Sequence, residues 1–203
     1  MRVAVLVGAL AIVAISMLAI VGVDLGGDEA EPAAPRETAD PVPQLPPGWS
    51  VATNEEIGVA VGVPPGWSNK VSPKQTTLRA PGSTVVVSVI ADRSEDAIGA
   101  DLSDYCQQIA EDLQEDEAAI KLDPGGTEEP KVGAGYEVAS VKASLAPTPS
   151  GAGGQLQVFV VRRPELAAYP ILLASGAGVR PAEVEPIVSE IVASLRGRPA
   201  TAG

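Results

Sequence analysis

The valine-rich stretch TVVVSVI at residues 84–90 constrains the fold more than any other part of the chain. Side chains of a β-strand point alternately to its two faces. Apolar side chains therefore stand on both faces of this strand: Val85, Val87 and Val89 on one, Val86 and Ile90 on the other. Such a strand is typical of a sheet that is covered on both sides. The domain that holds it needs a packed layer on each face of its sheet.

Other strands are predicted on either side of this stretch. In GVAVGVPPGW, the alternation of Val59, Val61 and Val63 predicts a strand that the following Pro-Pro-Gly ends. TTLRAP predicts a second strand, which joins the valine-rich strand through a Pro-Gly turn. Three later stretches, at residues 135–145, 155–163 and 168–177, also read as strands. The proline and glycine between them favour antiparallel hairpins.

Two helices complete the predicted domain. The first is predicted over residues 101–120, with Leu102, Tyr105, Cys106, Ile109 and Leu113 at helical spacing. The second closes the domain, with an apolar stripe of Val184, Ile187, Val188, Ile191 and Leu195. The order strand–strand–strand, helix, strands, helix predicts an α+β fold, with a mostly antiparallel β-sheet sandwiched by helices.

A run of 21 uncharged residues at positions 3–23 precedes the domain. As a helix it would be about 31 Å long, which matches the hydrocarbon core of a bilayer. With Arg2 before the run and Asp24 after it, we expect a signal anchor at residues 1–23 with a cytoplasmic N-terminus. A cleaved signal peptide is the alternative, although the run is long for one and no small-x-small site follows. The anchor predicts a single-pass protein of the cell membrane with an extracytoplasmic C-terminal domain.

Residues 24–47 have the composition of a disordered linker, with six acids, one base, six prolines and no aromatic residue. Residues 48–197 then form one predicted domain, which has 20 acids and 11 bases and so a charge of −9. The tail at 198–203 is expected to fray.

Charge and composition exclude several functions. The net charge of −12 argues against nucleic acid as a partner, because phosphate binding needs cationic side chains. The chain has no histidine, so histidine-based hydrolytic and zinc sites cannot form within it. Its one cysteine, Cys106, lies on the apolar face of the first helix, which indicates an inert core thiol. We therefore predict no catalytic site, no cofactor, no metal and no enzymatic activity.

Four residues are candidates for contact with a ligand or partner: Trp67, Trp49, Arg162 and Arg163. Trp67 follows the strand that ends in Pro-Pro-Gly, and Trp49 stands where the linker joins the domain. For both, core packing is the competing interpretation. Alternation along the strand sends Arg162 and Arg163 to opposite faces, so at most one of them would serve a given site.

The start of the domain resembles that of PsbP-like domains, whose fold is shared with the Ran-binding Mog protein and with LpqN-type mycobacterial lipoproteins. The resemblance rests on Trp49, the polar stretch SVATNEEI, the strand from Gly58 that ends in PPGW, LRAPGSTVVVSV, and the closing IVSEIVASLR. It covers about residues 49–197 and implies an antiparallel sheet sandwiched by helices. Two features depart from it. Val59 stands where the family commonly has an aromatic residue, and a lipobox cysteine is absent.

Three functions remain open from the sequence. The first is a membrane-anchored extracytoplasmic accessory or binding domain, which contacts the cytoplasmic membrane through residues 3–23 and binds an unknown envelope protein. The second is a carrier or sensor of a small apolar ligand such as an envelope lipid, held between helix and sheet. The third, a carboxylate-based hydrolase, has the least support, because the spacing of the acids pairs no two of them.

Overall fold

The computed structural model of the chain describes residues 45–82, 85–92, 97–98, 100–116, 118–130, 136–147, 153–163, 169–177 and 181–197. The predicted anchor at 3–23, nearly all of the linker and the tail at 198–203 lie outside the described residues, so their assignments stay predictions. Within the described ranges, no helix is long and apolar enough to cross a membrane.

The structure has the predicted order of strands, a helix, further strands and a second helix, and a short strand follows that helix. In chain order they are β1 (Ser50–Asn54), β2 (Val59–Val63), β3 (Ser68–Ser72), β4 (Gln75–Arg79), β5 (Val86–Asp92), α1 (Leu102–Asp116), β6 (Ile120–Glu128), β7 (Glu137–Leu145), β8 (Gly154–Arg162), β9 (Tyr169–Ala177), α2 (Pro181–Ala193) and β10 (Arg196–Gly197).

The strands form two antiparallel sheets. The larger has the order β3-β4-β5-β9-β8-β7-β6, and the smaller has the order β1-β2-β10. The valine-rich β5 lies inside the larger sheet, between β4 and β9, as its two apolar faces predict. The α+β class and the antiparallel sheet are therefore confirmed.

Each face of the larger sheet has its own core. On one face, α1 packs Tyr105, Cys106, Ile109 and Leu113 onto the sheet, together with Val86 and Ile90 of β5. The opposite face carries Val87 and Val89, and there the covering residues come from β1, β2, α2 and the turn after α2: Ala52, Val59, Val61, Val63, Val188, Ile191, Val192 and Leu195. The larger sheet thus has a helix on one face, and a helix together with the small sheet on the other.

Several local elements differ from the sequence prediction. Helix α1 ends at Asp116, and Ile120 begins β6, in a region we expected to be the end of the helix and a loop. The alternation in β6 is interrupted because its register to β7 shifts between Leu122 and Thr127, around Asp-Pro-Gly-Gly. Ile187, predicted in the apolar stripe of α2, is 37% exposed, and Val192 is buried instead.

The sequence PPGW occurs at residues 46–49 and again at 64–67, and it forms the same turn at both places. The amide of Trp49 donates to the carbonyl of Pro46 (3.2 Å), and the amide of Trp67 donates to that of Pro64 (3.1 Å). Gly48 and Gly66 have φ of 84° and 78°, which a type II turn requires at its third residue. A Cβ on Gly48 would lie 3.3 Å from Cγ of Pro65, so the two turns pack against each other.

Candidate functional site

An open depression of about 720 Å³ lies at the N-terminal end of α1. Its wall is formed by residues 101–103 at the start of α1 and by residues 129–130 after β6. Residues 136–139 at the start of β7 and Arg162 at the end of β8 complete the lining. The antiparallel pairing of β7 and β8 brings these last two segments together, because Glu137 lies opposite Arg162 in the register.

The first turn of α1 is fixed by a cap and by side-chain contacts. Asp101 Oδ1 accepts hydrogen bonds from the amides of Ser103 (3.0 Å) and Asp104 (3.1 Å), as an N-cap residue does. The hydroxyl of Ser103 donates to Glu129 Oε1 (3.3 Å), which ties the helix to the chain after β6. The wall of the depression is thus held by a local cap and by one hydrogen bond between residues distant in sequence.

Arg162 is the cation of the depression, and its charge is balanced. Its Nη1 lies 3.1 Å from Glu137 Oε2, and its Nη2 donates to the carbonyl of Ala100 (2.6 Å). Glu137 compensates Arg162, and the described lining residues include no second cation for the exposed carboxylates of Asp101 and Glu129. The rim is therefore net negative.

Tyr136 connects the depression to the opposite face of the sheet. Its hydroxyl lies 2.8 Å from the carbonyl of Ala193 and 2.9 Å from that of Leu195, at the C-terminal end of α2. The guanidinium of Arg163 donates to the Tyr136 hydroxyl and stacks 4.4 Å from the centre of its ring. Arg163 also donates to the carbonyl of Leu195 (3.4 Å). A cation and a hydroxyl thus satisfy carbonyls that a helix end leaves without partners.

The structure separates the four candidate residues. Arg162 lines the depression, whereas Arg163 is outside the lining and donates to Tyr136, which is part of it. Trp49 and Trp67 are half-buried against the core cluster that β1, β2 and α2 form on the larger sheet. The contact of these four residues with a ligand or partner stays a prediction.

Other lining residues escaped the sequence analysis. Asp101 is simply the first residue of the predicted helix. Glu129 stood in an expected loop, and Tyr136 and Glu137 stood at the start of an expected strand. What brings them together is the pairing of β6, β7 and β8, and no spacing in the sequence gives that register.

Two further kinds of site were considered among the described residues: a reactive thiol and a metal-binding cluster. Cys106 is fully buried, its thiol lies 3.7 Å from the carbonyl of Val158, and burial raises its pKa to about 12. It is therefore the inert core thiol that the sequence indicated. Over the part of the chain that the structure describes, no cluster of three or more aspartate, glutamate, cysteine or histidine side chains could hold a metal ion.

Comparisons with known proteins identify the fold. No protein-family model matches the chain, and no curated protein sequence matches it. Among solved structures, the Ran-binding protein Mog1p of Saccharomyces cerevisiae superposes with a TM-score of 0.55 at 12% identity, over 75% of this chain and 97% of Mog1p. Cyanobacterial PsbP (CyanoP) of Synechocystis sp. PCC 6803 gives a TM-score of 0.50 at 13% identity, over 74% of this chain and 92% of CyanoP.

The domain has the Mog1 and PsbP fold. The resemblance to PsbP-like domains that the sequence predicts is thus confirmed for the architecture. At 12–13% identity the likeness is one of fold, and fold alone assigns no activity.

Proposed function

We propose that this Mog1/PsbP-like domain is a non-catalytic binding domain, that residues 3–23 hold it outside the cytoplasmic membrane, and that its partner binds at the depression beside α1. The observation that carries the proposal is the depression itself, a concave surface of about 720 Å³ with a net negative rim. Mog1p, which has the same fold, is a Ran-binding protein, so the fold supports protein recognition in at least one relative.

The charges of the rim define the chemistry of the partner. The exposed carboxylates of Asp101 and Glu129 face a concavity that also presents Leu102, Tyr136 and Val138. A lysine or arginine side chain on a partner protein would place its cation against the carboxylates and its methylenes against the apolar wall. We therefore propose a protein partner that presents a basic side chain.

Site-specific photo-crosslinking in intact cells tests the site. A photo-reactive residue at position 129 should capture the partner, whereas the same residue at position 115, on the outer face of α1, should not. With the captured partner purified, Glu129→Lys should weaken its binding by about tenfold or more, and Glu115→Lys should leave it unchanged. Equal capture at both positions, or equal effects of the two substitutions, would place the binding surface elsewhere.

Export and anchoring need their own test. Sequencing the mature N-terminus distinguishes the anchor from a cleaved signal peptide, since a start near Ala30 would mean cleavage. Protease added to spheroplasts should digest the domain if it lies outside the membrane. A domain protected until the membrane is dissolved would contradict export, and it would leave the crosslinking result standing.

The apolar-ligand alternative keeps a separate test. The depression lies beyond the first turn of α1, while the described side chains between α1 and the sheet pack into one cluster. Native mass spectrometry of the chain extracted from membranes would show an added mass if a lipid is bound, and the mass of the chain alone would argue against a carrier.

A further inference from the structure

The β3–β4 hairpin is a cationic surface on an acidic protein. Residues 57–91 contain no aspartate or glutamate, although the chain as a whole has a net charge of −12. They contain three cations, Lys70 on β3, Lys74 in the turn of the hairpin and Arg79 on β4. We refer to these three residues as the hairpin cations.

The hairpin cations have no ionic partner in the described structure. The ion pairs seen between two described residues join Lys142 to Glu128 and Glu185, and Arg162 to Glu137, so they do not include a hairpin cation. Lys70 and Lys74 are exposed and Arg79 is half-buried. In the register, Lys70 lies opposite Thr77 and Arg79 opposite Ser68, so Lys70 and Arg79 project from the same face, on diagonal positions about 7–8 Å apart.

The complementary charge lies in the chain's own linker. The segment just before the described residues contains six acids and one base: Asp24, Asp28, Glu29, Glu31, Glu37 and Asp40, with Arg36. It joins the domain at Leu45, and the turn from Pro46 to Trp49 packs on Pro65 of the turn that leads directly into β3. The linker therefore meets the domain at the start of the edge strand β3, while Lys70 and Arg79 project from the α1 face of the same sheet, which the linker reaches around that edge.

The acidic linker segment is long enough to reach the hairpin cations. A flexible chain of the 21 residues from Asp24 to Gln44 has an end-to-end distance of roughly 25 Å. A five-residue strand such as β3 is only about 17 Å long. Four prolines in this segment, at positions 32, 35, 41 and 43, disfavour pairing as a regular strand, so the contact would form between side-chain charges.

We propose that the acidic segment 24–44 docks on the hairpin cations of its own chain. A second copy could offer the acidic outer face of α1 to the same cations. The covalent linker, however, has an effective concentration in the millimolar range without any association step. Docking folds the linker back along the domain and shields the hairpin cations.

Distance measurements between two spin labels on the full-length chain in detergent micelles test the docking. Labels on Ala34→Cys and Asn69→Cys report linker and hairpin, while buried Cys106 stays unlabelled in the folded protein. A population at short distance is expected at low salt. It should fall about threefold or more in the variant Lys70→Gln/Lys74→Gln/Arg79→Gln and at high salt. Lys121→Gln, which removes an exposed cation from β6, should leave it unchanged.

Other outcomes would overturn the proposal. A distance distribution that is the same in the triple variant, at high salt and in the parent shows that the linker does not dock. Short distances between two singly labelled chains would assign the hairpin to a second copy. The hairpin would be assigned to a lipid surface if its cations mediate binding to phosphatidylglycerol vesicles while the distances between the two spin labels are the same at low and high salt. None of these outcomes affects the crosslinking test of the depression.

Discussion

Ser194→Ala should destabilise the domain by about 1–3 kcal/mol, because it removes the acceptor of a buried amide. The hydroxyl of Ser194 accepts from the amide of Gly62 (2.7 Å) and donates to the carbonyl of Ile191 (2.6 Å). Ser194 is only 5% exposed, so water has little access to replace it. The described residues of β10 pair with β2 at Val59 and Ala60, and Ser194 supplies a hydrogen bond to Gly62, further along that edge.

Urea unfolding of the chain from residue 45 onward, followed by the fluorescence of Trp49 and Trp67, measures the effect. With a slope of about 2 kcal/mol per molar urea, the midpoint should fall by about 0.5–1.5 M. Ser68→Ala removes an exposed hydroxyl from β3 and is the matched control, with an expected change within about 0.5 kcal/mol. If the two substitutions shift the midpoint equally, the amide of Gly62 does not depend on Ser194 and the reasoning is wrong.

Three further predictions concern other contacts. Cys106 should not react with a thiol reagent such as Ellman's reagent in the native protein and should react fully in denaturant, because burial raises its pKa to about 12; rapid native reaction would contradict its packing. Lys142→Gln should cost about 0.2–1 kcal/mol at neutral pH, measured by urea unfolding. The hydrogen bond to Glu128 raises the pKa of Lys142, so this stabilisation is complete below the unfolded-state pKa of about 10.4 and is lost as pH rises through the higher folded-state pKa. A cost that persists unchanged well above that pH would not come from the ion pair. Tyr136→Phe should cost about 1–2 kcal/mol in the same assay by leaving the C-terminal carbonyls of α2 without its hydroxyl, and an unchanged midpoint would show that solvent replaces it.

The core of the fold could be predicted from the sequence because buried faces of strands and helices require apolar residues at regular spacing. The two faces of β5, the alternation of β2 and the helical spacing of α1 each correspond to buried clusters. The polar strand β3 left no such trace, since most of its residues are exposed at the sheet edge. Strand β6 was missed because the irregularity around Asp-Pro-Gly-Gly breaks its alternation.

The candidate site was harder to predict than the core. Of the residues that line the depression, only Arg162 was among the four candidates. The others become neighbours through the antiparallel register of β7 and β8 and through the hydrogen bond of Ser103 to Glu129. Those contacts join positions that no local pattern connects, so the sequence alone could not indicate this surface.

The closure of the small sheet determines when the domain can finish folding during synthesis. Strand β2 pairs with β10, and Gly62 bonds to Ser194, which lies 132 residues later in the chain. A ribosome-bound chain therefore carries an incomplete β2 edge until almost the last residue of the domain has emerged. Long-range closure of this kind slows folding, so the unfinished chain is exposed to misfolding and aggregation for longer.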